Sequence, residues 1–150
     1  MPTPRLTQAA LPDTIQVGRQ AIFNGQLDVI AYELLYRDAS GRNSMTNGDR
    51  ASSLTLLNAF IEIGLDRIIG PSKAFINVTR HFFVDMPTIP FSPDRVVLEI
   101  LEDTVVDDAL IAGIARMRSD GFEVAIDDYA FQPELAPLLP LVDYIKVEVR

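Results

Sequence analysis

The sequence contains no cysteine and a single histidine, His81. Disulfides and thiolate metal sites are thereby excluded, and so are sites built from several imidazoles. Any metal would be held by oxygen, which favours magnesium, manganese or calcium over zinc. The lack of cysteine also fits a reducing compartment. Positive charge is scarce as well. Lysine and arginine number 13 against 21 aspartates and glutamates, for a net charge of -8. General DNA or RNA binding needs basic surface and is disfavoured. A small anionic phosphate ligand stays compatible with an acidic chain when metal ions sit between the two. No apolar run approaches the ~20 residues of a membrane helix. The start, Met1-Pro2-Thr3-Pro4-Arg5-Leu6-Thr7-Gln8, lacks the apolar core of a secretory signal. A cytoplasmic protein without a membrane partner is the expectation.

What is present is a chain of 150 residues, 48% hydrophobic and 23% charged, the balance of one ordinary globular domain. Residues 1–14 carry three prolines and read as a flexible leader, with the folded domain over 15–150. Two apolar runs, 15–23 and 27–37, flank Asn24-Gly25, a hairpin signal because both residues accept positive φ. The first two strands should therefore be antiparallel. Residues 38–50 read as a loop, with Asp49 placed to cap a helix. Leu54, Leu57, Phe60, Ile61 and Leu65 put one apolar face on that helix, and Gly70-Pro71 stops it. Strands are expected over 74–78, 96–101, 122–127 and 144–149. A short helix or turn falls within 81–95, and short helical turns within 132–140, where Pro133, Pro137 and Pro140 limit regular helix. Between them, the stretch from Asp107 to Ser119 has acids first, arginines last and Gly121 just beyond, an order that suits the helix dipole and a C′ glycine.

Alternating strands and helices imply a parallel sheet with right-handed crossovers. About six strands are visible, whereas a closed barrel needs eight and typically ~250 residues. Two architectures stay open: the first part of a longer barrel, or an open α/β sheet.

Several apolar runs end in polar groups. Val124-Ala125-Ile126 meets Asp127-Asp128; Tyr32-Glu33-Leu34-Leu35-Tyr36-Arg37 carries Glu33 and Arg37. Asn77 ends Phe75-Ile76, Glu99 and Glu102 lie in or after Val96–Leu101, and Lys146 follows Tyr144-Ile145. Parallel strands bring such ends together on one face, the face that holds the site of a β/α barrel. Glu33, Asn77, Glu99, Asp127 and Asp128 would then offer five oxygen ligands to one or two hard divalent ions. Lys146 would orient or deprotonate a water, or stabilise charge on a phosphate, with Ile145 and Val147 desolvating it and lowering its pKa. Arg37 suits a phosphate by its planar fork. Each residue also has a plainer use: a helix cap or solvated turn for Asp127-Asp128, an outward position for Lys146, and a local pair for Glu33 and Arg37. Glu102 and Asp103 would serve equally as first-turn helix acids.

In order, these residues resemble the EAL domain, a cyclic-di-GMP phosphodiesterase barrel. Glu33-Leu34-Leu35-Tyr36-Arg37 is similar to E-A-L-x-R, and Ile76-Asn77-Val78-Thr79 to the N-x-S/T strand. Leu98-Glu99-Ile100-Leu101-Glu102 is similar to E-L-T-E, Asp127-Asp128-Tyr129 to the start of D-D-F-G-T-G, and Ile145-Lys146-Val147-Glu148 to K-I-D. The stretches 17–23 and 58–66 resemble a subgroup in which a divergent EAL domain precedes an HDOD domain. The resemblance covers roughly residues 15–150. It implies a partial EAL-type (β/α) barrel of about six strands, the first antiparallel and the last strands missing.

The resemblance also implies roles. Glu33, Asn77, Glu99 and Asp127 would ligate metal, and Asp128 would serve a second ion. Lys146 would contact the attacking water, Glu102 would brace the loop after Asp128, and Leu35 and Arg37 would lie among substrate-binding positions. The cofactor would be magnesium or manganese. The sequence departs from the family where Ala130-Phe131-Gln132 replaces Gly-Thr-Gly, and where Leu101 replaces threonine. The expected function is a divergent, incomplete EAL domain in cyclic-di-GMP signalling, acting by binding or interaction with weak turnover or none. The alternatives are an active metal-dependent phosphodiesterase giving linear dinucleotide, and another carboxylate-metal barrel enzyme acting on a small acid. The expected partners are cyclic di-GMP and, through an open sheet edge, a second copy or a carboxyl-terminal HDOD domain.

Overall fold

The computed structural model describes residues 16–37, 64–85 and 92–149. The leader, the 38–50 loop with Asp49, and the helical face from Leu54 to Ile61 lie outside the described residues.

Among the described residues six strands form one sheet in the order β1-β2-β3-β4-β5-β6, the order of the sequence. They are β1 (Gln16–Phe23), β2 (Val29–Arg37), β3 (Lys73–Val78), β4 (Val96–Ile100), β5 (Glu123–Ile126) and β6 (Tyr144–Ile145). β1 and β2 pair antiparallel; every later pair is parallel. A doubly wound sheet reverses its strand order at a switch point, and this one never does. Of the two architectures the sequence leaves open, the structure is the partial barrel: a curved half-barrel with helices outside.

The hairpin forms as expected, through a different turn. Five residues, Asn24 to Asp28, connect the strands. Asn24 Oδ1 accepts from the backbone N–H groups of Gln26 and Asp28 at 2.9 and 3.0 Å, and the residue with positive φ is Leu27 at 66°. The Asn24 side chain, an Asx-type acceptor, organises the loop in place of an Asn-Gly type I′ turn.

Among the described residues the helical elements are α1 (Leu65–Ile69), α2 (Arg80–Asp85), α3 (Asp108–Ser119) and a 3-10 helix, Pro133–Leu141. Two prolines inside the last keep it from becoming a regular α-helix. α3 is bounded as its sequence predicts. Asp107 Oδ1 accepts from Leu110 N at 2.9 Å as the N-cap. At the other end Phe122 N donates to Met117 O at 3.1 Å and Gly121 N to Arg118 O at 3.0 Å, with Gly121 at φ 97°. Those two bonds are a Schellman cap, whose left-handed residue favours glycine.

Alternation along the strands divides the core in two. Outward-facing Leu34, Ala74, Ile76, Val78, Leu98, Ile100, Val124 and Ile126 pack with Phe82, Phe83, Leu110, Ile114 and Met117 of the helices. The inner face carries a smaller apolar layer, Ala31, Phe75, Val97 and Ala125. α3 sits very close to α2: a Cβ on Gly113 would lie 2.3 Å from the Phe83 carbonyl oxygen. β4 is buried along its whole length. Among the described residues no helix is long and apolar enough to cross a membrane.

Candidate metal centre

The inner face is built by period-two alternation, so each strand contributes its residues in layers. Above the apolar layer, towards the carboxyl ends of the parallel strands, stand Glu33 of β2, Asn77 of β3 and Glu99 of β4. Asp127 and Lys146 follow at the ends of β5 and β6. The register steps across the sheet: Glu33 is level with Phe75, Asn77 with Glu99, and Glu99 with Ala125. That stagger accompanies strand tilt in a closing barrel. It lets Asp127, two residues beyond Ala125, reach the same point. Two backbone bonds fix the ends of the last strands. Asp127 N donates to Ile100 O and Lys146 N to Ile126 O, both at 2.9 Å. The second carries the β5–β6 ladder one residue past the strand, so the expected strand over 144–149 shrinks to Tyr144–Ile145 plus this bond.

One carboxylate oxygen from each of Glu33, Glu99 and Asp127 lies within 4.8 Å of the other two. The Lys146 ammonium sits among them, 3.0 Å from Glu33 Oε2, 2.5 Å from Glu99 Oε1 and 3.1 Å from Asp127 Oδ1. Asn77 Nδ2 donates to Glu33 Oε1 at 3.0 Å, and its buried Oδ1 has no hydrogen-bond partner among the described residues. Glu99 Oε2 is also buried without one among the described residues. Glu99 is fully buried and Glu33 nearly so, at 0% and 8% exposure.

Acidic and basic groups are not matched here: among the described residues three carboxyl groups surround one ammonium. Burial pushes the Glu99 carboxyl up to about 8, against the pull of Lys146. Burial also works against the charged form of Lys146, but the carboxylates of Glu99 and Glu33 outweigh it and hold its pKa above the ordinary lysine value. The expected lowering is therefore corrected. Ile145 and Val147, meant to desolvate the ammonium, are themselves exposed, at 47% and 63%. Lys146 points inward because it alternates with them.

Donors that are all oxygen, excess negative charge, and two unpartnered buried oxygens together fit a hard divalent cation. Glu33, Glu99 and Asp127 would hold it, with Asn77 Oδ1 as the available neutral donor.

Asp128 and Glu102 stand apart from this cluster. Asp128 is exposed, with φ at 47°, and is not part of the three-carboxylate cluster. Glu102 is exposed in the turn after β4. Leu35 is half-buried and shares the face of Glu33, while the side chain of Arg37 lies outside what is described. His81 pairs with Asp85 on α2, away from the cluster. The sequence reading missed a second polar layer below the apolar one. Lys73 pairs with Glu123, and Tyr144 Oη donates to Glu123 Oε2 at 2.7 Å. Its signal was available, since Lys73 lies four residues before Asn77, Glu123 four before Asp127, and Tyr144 two before Lys146.

A half-barrel with an acidic cluster at the carboxyl ends of its strands belongs to the β/α-barrel class. No family profile matches the chain. It is 36% identical over 139 residues to the uncharacterized protein YuxH of Bacillus subtilis, across 88% of this chain and 34% of that protein. It is 28% identical over 139 residues to the cyclic di-GMP phosphodiesterase CdgJ of Vibrio cholerae, across 91% of this chain and 32% of that protein. The chain thus spans about a third of the length of the curated relatives it matches. A calcium and cyclic-di-GMP complex of Klebsiella pneumoniae BlrP1 superposes with a TM-score of 0.68 at 22% identity, over 92% of this chain and 41% of that one. A manganese complex of BlrP1 superposes with a TM-score of 0.65 at 21% identity, over 92% and 41%. Bacillus subtilis YkuI, with an EAL domain and in complex with c-di-GMP and calcium, gives a TM-score of 0.66 at 21% identity, over 90% and 41%. The chain carries the fold of the EAL domain.

Proposed function

We propose that this chain forms the metal-facing part of a cyclic-di-GMP signalling domain, and that it binds the dinucleotide together with magnesium or manganese. The observation that carries this is the convergence of Glu33, Glu99, Asp127 and Lys146 at one end of the barrel strands. A divalent ion held there supplies positive charge against a phosphodiester. The carboxylates position it, Asn77 orients Glu33, and the Lys146 ammonium stands ready for a phosphate oxygen or a water beside it. In this reading Arg37 and Leu35 contribute to the ligand pocket, and Glu102 supports the loop that follows Asp128.

Turnover is expected to be weak. Asp128, the candidate for a second ion, faces solvent, and Phe131 holds a left-handed φ of 61° where a glycine would be unstrained. A second reading, an efficient phosphodiesterase giving linear dinucleotide, is favoured by the inward set alone. One experiment separates them: titration with cyclic di-GMP, with and without manganese, with assay for the linear product. Manganese-dependent binding with little product supports the first reading. Rapid product formation that is lost in Glu33→Ala supports the second. Absence of both would overturn the assignment, and tight metal binding without the dinucleotide would favour a barrel enzyme acting on a small acid.

A further inference from the structure

Lys146 reaches the carboxylates from the end of β6, with its side chain one-fifth exposed. Its ammonium touches the same three residues whose oxygens cluster within 4.8 Å. A divalent ion seeking those oxygens meets a cation already bonded to all three. Two cations sharing one water-poor set of lone pairs repel each other.

We propose that Lys146 is the resident counter-ion of this cluster, and that a divalent ion binds by exchange with it. The incoming ion takes carboxylate oxygens while the ammonium withdraws from at least one of Glu33, Glu99 and Asp127. The inference rests on the metal reading above and assigns this lysine control over cation affinity. With all three carboxyl groups ionised, as ligation of a metal requires, the cluster and the ammonium together carry two negative charges; a neutral residue at 146 leaves three. The neutral side chain therefore strengthens attraction for the metal. It also strips the compensating charge from buried Glu99, so the same variant loses stability until metal is added. A lysine with a merely structural role would behave otherwise. Its removal would loosen the carboxylates, and affinity would fall together with stability.

The test uses the whole chain as wild type, Lys146→Gln and Lys146→Met. Calorimetric titration with manganese and with calcium reads affinity; thermal melting in chelator and in excess ion reads stability. Both variants should bind about tenfold more tightly than wild type or better, and their melting temperatures should rise further on adding metal. If a variant is unfolded in chelator, manganese should refold it, and failure to refold in either ion overturns the proposal. Wild type that binds metal, beside a Lys146→Gln chain that binds it equally or more weakly, also overturns the exchange and leaves the metal site standing. Wild type that binds neither ion removes the metal reading itself, and the exchange with it.

Discussion

The two ends of the half-barrel interior are both polar, and they are built on different terms. At the amino ends of the strands one carboxylate, Glu123, is matched by one ammonium, Lys73, and one hydroxyl, Tyr144. At the carboxyl ends three carboxyl groups share the Lys146 ammonium, and buried oxygens of Asn77 and Glu99 lack hydrogen-bond partners among the described residues. An apolar layer of Ala31, Phe75, Val97 and Ala125 separates the two. A balanced, satisfied group closes the end of a barrel. An unbalanced one costs folding free energy, because buried charge without compensation is expensive. That cost makes sense when a further cation completes the set. The same fold thus supplies its own control, with a structural polar layer facing a ligand-demanding one.

The largest effect should come from cutting the unbalanced end. Losing a residue that only supports a metal ligand typically costs ~10–100-fold in affinity. Removing a proposed ligand in Glu99→Ala or Asp127→Ala should therefore weaken manganese binding by about a hundredfold or more. Glu123→Gln, at the balanced end, should leave that affinity within about twofold. Equal losses at the two ends, measured by calorimetry, would erase the distinction.

The two ends should also answer pH in opposite directions when metal is chelated. Burial raises Glu99 from 4.5 to about 8 in the folded chain. Between those values the unfolded chain has released a proton that the folded one keeps, so stability falls as pH rises from about 4.5 to 8. Glu123 behaves in the reverse sense. Burial opposes its ionisation, but the Lys73 ammonium and the Tyr144 hydroxyl outweigh it and hold its pKa below the ordinary 4.5. Its contribution is present above 4.5 and is lost as pH falls through the lower folded value. Urea melts in chelator should show the alkaline-side loss in wild type and not in Glu99→Gln, whereas Glu123→Gln should flatten the acid-side loss. A Glu99→Gln chain that keeps the alkaline-side slope would contradict the assignment.

How much of this was legible follows from the alternation. Glu33, Asn77, Glu99 and Asp127 could be read as one face because each ends or interrupts a buried apolar run, where a polar side chain stands out. Lys73, Glu123 and Tyr144 obey the same period and escaped notice because they open their strands, where polar residues are unremarkable. Asp128 was read into the site with its neighbour, but it is exposed, with φ at 47°, and successive residues of an extended chain point to opposite sides, so an inward Asp127 already sets Asp128 apart. The sign of the Lys146 shift was illegible for another reason. It depends on three carboxylates from strands distant in sequence, which neighbours at 145 and 147 do not reveal. The fold class came through because strand–helix alternation is coarse. The choice between barrel and open sheet needed the strand order.

Gly113 offers a lesion that should not discriminate between the two ends. A methyl group there meets the Phe83 carbonyl at 2.3 Å, in backbone that cannot move without shifting α2. Overpacking of that kind costs typically 1–3 kcal/mol, so Gly113→Ala should lower the chemical-denaturation midpoint by a corresponding amount. Manganese affinity should stay within about twofold, because α2 and α3 pack on the outer face of the sheet. If affinity collapses as well, the inner and outer faces are coupled, and the site is less preorganised than its strand-borne geometry implies.

The smallest effect belongs to Tyr144→Phe. The hydroxyl donates to Glu123 Oε2 at 2.7 Å, while the ring packs edge-on to Phe75 with centroids 5.3 Å apart. Removing the hydroxyl keeps the ring contact and deletes one hydrogen bond to a charged acceptor, which is worth about 1–2 kcal/mol at most in a group that water can reach. Glu123 retains Lys73, so no buried charge is abandoned. The expected result is a loss of about 1 kcal/mol by urea melting, with metal affinity unchanged. Tyr144 is nevertheless two residues from Lys146 on the same face, and its backbone belongs to the short strand that delivers the ammonium. If Tyr144→Phe shifts manganese affinity by tenfold, the balanced layer is setting the position of Lys146, and the two ends of the interior work as one unit.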